Sequence, residues 1–137
     1  MMKKLQLIKM FGAVIVATAL LFSCKTNAYP TISLEAPEDG TELVAGHGVH
    51  FAATLADGLG LKSYSIQITG LEGEIFSKTW DLPQEKEMTL HHHEITIPVD
   101  AASGNYVFTI SCVNKANKES KVEAGIRIVR PFSEQVQ

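Results

Sequence analysis

The chain has 137 residues, 45% hydrophobic and 20% charged, with a formal charge of −3. That allows one domain with a single core and is the composition of an ordinary globular protein. Twelve Lys and Arg against fifteen Asp and Glu leave no basic surplus, which argues against a nucleic-acid partner, because the phosphate backbone demands clustered cations.

Residues 1–23 read as a targeting signal. Lys3, Lys4 and Lys9 form a positive head, and Met10 to Phe22 is an apolar run shorter than the ~20 residues a spanning helix needs. The run ends in Leu21-Phe22-Ser23-Cys24, which resembles a bacterial lipobox, where signal peptidase II cuts before the cysteine and its thiol takes diacylglycerol. Phe22 is bulkier than the usual occupant, and a plain secretory signal with a chance cysteine is the alternative. On the lipobox reading Cys24 is the lipidation site, and its acyl chains, palmitate among them, anchor the protein to the outer membrane at about 0.8 kcal/mol per buried CH₂. Residues 24–30 are then a tether. Lys25-Thr26-Asn27 lacks the acidic cluster that exports lipoproteins to the cell surface in some bacteria, so the periplasmic face of that membrane is expected.

From Thr31 the chain reads as strands. Thr31 to Ala36 alternates Ile32 and Leu34 with polar residues until Pro37-Glu38-Asp39-Gly40 breaks it. Proline cannot donate to a ladder, so this strand is expected at an edge, ending or switching sheets at Pro37. Leu43-Val44 resumes briefly. His47 to Asp57 puts Val49, Phe51, Ala53 and Leu55 on one face, and Asp57-Gly58-Leu59-Gly60 is its turn. Leu61 to Thr69 follows with Tyr64, Ile66 and Ile68 aligned, then a turn at Gly70 to Gly73, then a more exposed strand over Glu74 to Leu82. Pro83 to Thr89 has helical composition but length for one turn only. Leu90 to Val99 and Tyr106 to Val113 are the best-patterned pair, and Glu119 to Val129 closes the domain before Pro131 and a tail.

Seven or so strands at intervals near ten residues, with no crossover helix and no internal repeat, predict an all-β fold: an immunoglobulin-like antiparallel β-sandwich over residues 31–130. A closed barrel is the alternative, opposed by Pro37 and by the Asp100-Ala101-Ala102-Ser103-Gly104 crossover. There Asp100 offers an acceptor for the turn, Gly104 can take positive φ, and Tyr106 stands where immunoglobulin-like sandwiches carry a tyrosine corner.

Chemistry-bearing motifs are sparse. The chain has no G-x-S-x-G elbow, no phosphate-binding glycine loop and no H-E-x-x-H; His93-Glu94 has only the first half of that motif, on a strand. An enzyme is therefore not expected. With Cys24 lipidated, Cys112 has no partner, and its phase with Tyr106, Phe108 and Ile110 marks it as a buried, inert thiol. Trp80 beside Tyr64 suggests either core cover or a stacking platform for sugar rings. The five histidines are the unusual feature. Simple alternation puts His91 and His93 on the inward face of Ile95 and Ile97, and His92 and Glu94 on the outward face, near His50 of the neighbouring strand. His50, His92 and Glu94 are thus a candidate zinc-type site, against a plain reading as polar sheet surface with no cofactor.

The run from His91 to Ser120, HHHEITIPVDAASGNYVFTISCVNKANKES, together with Pro30-Thr31-Ile32, Gly48-Val49-His50-Phe51 and Gly60-Leu61-Lys62-Ser63-Tyr64, resembles a Bacteroidetes lipoprotein family known as domain of unknown function 4625. The likeness covers nearly the whole mature chain. It implies an immunoglobulin-like sandwich on a lipid anchor, of unestablished activity. Where the family pattern has further histidines, this chain has Thr69 and Val107. Its hairpin reads Asn114-Lys115-Ala116-Asn117-Lys118, with Asn114 for an aspartate and Lys118 for an asparagine, so a carboxylate-rich calcium site there is not supported. The function expected is a non-catalytic cell-envelope module whose partner is an envelope protein or glycan. A metal-binding envelope lipoprotein is the alternative.

Overall fold

The computed structural model describes residues 28–131. The signal, Cys24 and the last six residues lie outside the described residues. Eight strands follow one another without a helix among the described residues: β1 (Thr31–Ala36), β2 (Thr41–Val44), β3 (Gly48–Ala56), β4 (Leu61–Gly70), β5 (Gly73–Asp81), β6 (Glu87–Thr96), β7 (Gly104–Asn114) and β8 (Glu119–Val129). They form two facing sheets, β1-β3-β6 and β2-β8-β7-β4-β5. All neighbours are antiparallel except β2, which runs parallel to β8.

The sheet switch expected at Pro37 is present: β1 lies on the three-stranded sheet and β2 on the five-stranded one. The core fills the space between them. Phe51 and Leu55 from β3, Ile66 and Ile68 from β4, Ile95 from β6, Phe108 and Ile110 from β7 and Ile128 from β8 are fully buried. Each contributes roughly 1.5–3 kcal/mol of transfer free energy. Their period-2 spacing is what makes these segments strands with one buried face.

Two local expectations fail. Residues 83–89 form no helical turn; β6 begins at Glu87 and its first half pairs fully with β3, Glu87 facing Ala56 and Met88 facing Leu55. Ladder pairing outweighs the weak helix preference of so short a stretch. Val99, expected to end the strand that starts at Leu90, is 68% exposed, because β6 ends at Thr96 and the chain turns at Pro98, where the Ala101 N–H donates to the Pro98 carbonyl at 3.1 Å.

The crossover between β6 and β7 is tied down by Tyr106, whose hydroxyl donates to the Ala102 carbonyl at 2.7 Å. Gly104 has φ +146, a conformation closed to most side chains. Asp100 is exposed there, and its carbonyl accepts from Arg130 at 3.4 Å.

Candidate functional site

The register of β3 against β6 decides which histidines meet. At one end Ala52 faces His91 and Phe51 faces His92; at the other Val49 faces Ile95 and Gly48 faces Thr96. Two steps along β3 therefore match three along β6, which is a β-bulge with its extra residue near His93-Glu94. An extra residue flips the face of everything beyond it. Leu90 and His92 point inward on one side of the bulge, Ile95 and Ile97 on the other, and His91 and His93 point out.

The sequence-based site is thereby divided. His50 lies on the outer face of the three-stranded sheet as expected, but His92 and Glu94 do not accompany it. His92 faces the interior, with its ring 4.9 Å from Phe51 and 5.3 Å from Trp80. Its Nε2 is 3.0 Å from the Tyr64 hydroxyl, and its buried Nδ1 has no hydrogen-bond partner among the described residues. Burial holds the His92 imidazole below its usual pKa, against the opposing pull of the Glu94 carboxylate. Glu94 goes with His92 toward Trp80 and away from His50, accepting from Trp80 Nε1 at 3.3 Å and lying 3.7 Å from Lys78 Nζ.

His91 and His93 take the places assigned to His92 and Glu94. The His50 and His91 Nε2 atoms are 2.7 Å apart, and the His50 and His93 rings stack at 5.1 Å with an 18° angle between planes. His91 and His93 meet edge to face at 5.5 Å. All three are exposed, and one ring nitrogen from each lies within 4.8 Å of the others. Alternation alone could not show this cluster, because its signal is the bulge.

Trp80 does not stand free as a sugar platform. It stacks on Tyr64 at 4.8 Å and 9°, with Lys78 Nζ 5.1 Å from its ring, closing the open side of the sandwich between β5 and β6. Burial, with help from Glu94, pushes the Tyr64 hydroxyl up to about 12.

A buried polar knot was also missed by sequence reading. Asp57 Oδ2 accepts from the N–H groups of Leu59 and Gly60, and its Oδ1 accepts from Asn114 Nδ2 at 2.9 Å. Asn114 Oδ1 accepts from the N–H groups of Ala116 and Lys118, while Nδ2 also donates to the Ala28 carbonyl at 3.2 Å. Ser120 adds a 2.6 Å bond to the Pro30 carbonyl. The only sequence hint was two turn-forming residues, 57 positions apart, each at the end of an apolar strand.

No curated protein sequence matches the chain significantly. Among solved structures, the fibronectin(III)-like modules of CbhA from Clostridium thermocellum superpose with a TM-score of 0.50 at 17% identity, covering 74% of this chain and 47% of that one. CopC from Methylosinus trichosporium OB3b is more distant, with a TM-score of 0.43 at 17% identity over 73% of this chain and 95% of that one. The first likeness supports the fold and nothing more. The family model described as Domain of unknown function (DUF4625) matches residues 22–129, and the chain belongs to that family.

Proposed function

We propose that the protein is a non-catalytic, lipid-anchored binding module of the bacterial cell envelope. The observation that carries this reading is how the start of the sandwich is held. Asn114 grips the Ala28 carbonyl and Ser120 the Pro30 carbonyl, so residues 28–30 are fastened to the end of the sandwich that carries the Asp57 turn and the β7–β8 hairpin. A lipid on Cys24 would leave this end toward the bilayer. The opposite end, with the Gly70–Gly73 and Pro98–Gly104 loops, would face away, and the outer sheet faces would be open to an envelope protein or glycan. Both inner faces are consumed by the core, so a partner engages the surface and not an internal cavity.

The test is fractionation of cells producing the protein. The mature form is expected to partition into detergent, to begin at a modified Cys24 and to incorporate labelled palmitate, while Cys24→Ala accumulates as uncut precursor. A mature protein that stays in the aqueous phase with an unmodified Cys24 thiol would end the anchor reading.

A further inference from the structure

We infer that His50, His91 and His93 form an open three-histidine site for a late first-row divalent cation of the zinc, copper and nickel group. The site goes beyond the anchored-module reading and does not depend on it, since all three ligands lie within the sandwich.

The backbone supplies the convergence. His50 sits on β3 opposite the bulged His93-Glu94 pair of β6, with His91 one turn of the pleat away on the same face. The bulge is the device that turns His93 outward while leaving Ile95 buried. Without it His93 and Ile95 would share a face, and the cluster could not form beside an intact core.

The distances suit a small cation. Zinc–imidazole bonds of about 2.0–2.1 Å in a tetrahedron place ligand nitrogens roughly 3.3 Å apart. The ring nitrogens here span 2.7 Å for the closest pair and no more than 4.8 Å overall. Rotation of three exposed side chains covers that difference, and no strand needs to move.

The donor set selects the metal. Three imidazoles with neither carboxylate nor thiolate suit zinc, copper or nickel and are poor ligands for calcium or magnesium, which take oxygen. Glu94, the nearest acid on β6, is turned away to Trp80 and Lys78. Three protein ligands on an exposed sheet leave at least one coordination position to water or to an incoming donor, which makes this an exchanging site, in contrast to a closed structural one.

The experiment is calorimetric titration of the tag-free mature protein with zinc chloride, with calcium chloride as control. One zinc ion per chain is expected to bind saturably and calcium not at all. His50→Ala, His91→Ala and His93→Ala should each weaken zinc binding by more than the roughly tenfold that loss of an outer partner costs. His47→Ala should leave it unchanged. So should Glu94→Gln, which removes the carboxylate without touching the triad. Circular dichroism of each variant checks that the fold is retained, as expected for exposed side chains. Absence of saturable zinc binding, or binding that survives both His50→Ala and His93→Ala, would overturn the site. Neither result bears on the anchor, which fractionation tests separately.

Discussion

Tyr106 illustrates how much one side chain carries here. Its ring lies against Gly70, where an added Cβ would stand 2.5 Å from the ring, and its hydroxyl closes the β6–β7 crossover on Ala102. Tyr106→Phe should cost about 0.5–1.5 kcal/mol, the worth of one hydrogen bond, read as a lower urea midpoint; an unchanged midpoint would remove the hydroxyl bond from the crossover. Gly70→Ala should cost more, because the ring cannot stay where it is. Asn114→Ala should also be severe, about 1–3 kcal/mol or more, since it strips a donor from the buried Asp57 carboxylate. Cys112 gives a pH signature. Burial, with a smaller contribution from Asp57, pushes its thiol from 9.0 up to about 11. The folded state therefore keeps a proton that the unfolded chain releases, so this stabilisation is complete below about pH 9 and is lost as pH rises toward 11. Denaturation midpoints measured across that window should fall more steeply for the native chain than for Cys112→Ala, and parallel curves would contradict the assignment.

Elements that pair and alternate regularly could be read from the sequence, and those that depend on an irregularity could not. Val49, Phe51, Ala53 and Leu55 announce β3, and Val122, Ala124, Ile126 and Ile128 announce β8 with the same bounds the structure has. β6 defeats the same rule because alternation holds on each side of the bulge but not across it, and nothing in LHHHEITI marks where the extra residue goes. The cluster of histidines was therefore legible as a cluster, with His50 correctly placed, while the identity of its members was not. Likewise the residues joining Asp57 to Asn114 are brought together only by packing. Strand position sets local stability: β7 lies between β4 and β8 in the five-stranded sheet, whereas β5 is its edge. Native-state hydrogen exchange should be slowest for the β7 amides of Phe108 to Cys112 and faster by orders of magnitude along the outer side of β5. Comparable protection in both strands would count against this topology.

At the scale of the whole molecule, the sandwich separates its tasks by position. One end grips the Ala28 and Pro30 carbonyls, the interior holds the core, and the outer face of the three-stranded sheet presents His50, His91 and His93. His92, one residue from two of the proposed ligands, is spent on packing against Tyr64, Phe51 and Trp80. That division makes the metal proposal unusually exposed to a single measurement: anomalous diffraction at the zinc edge from crystals of the tag-free protein grown with zinc. The expected result is one peak on the outer sheet face at about 2.0–2.1 Å from ring nitrogens of His50, His91 and His93, with the His92 ring still against Tyr64. A peak held by His92 and Glu94, or no peak on that face at saturating zinc, would contradict it.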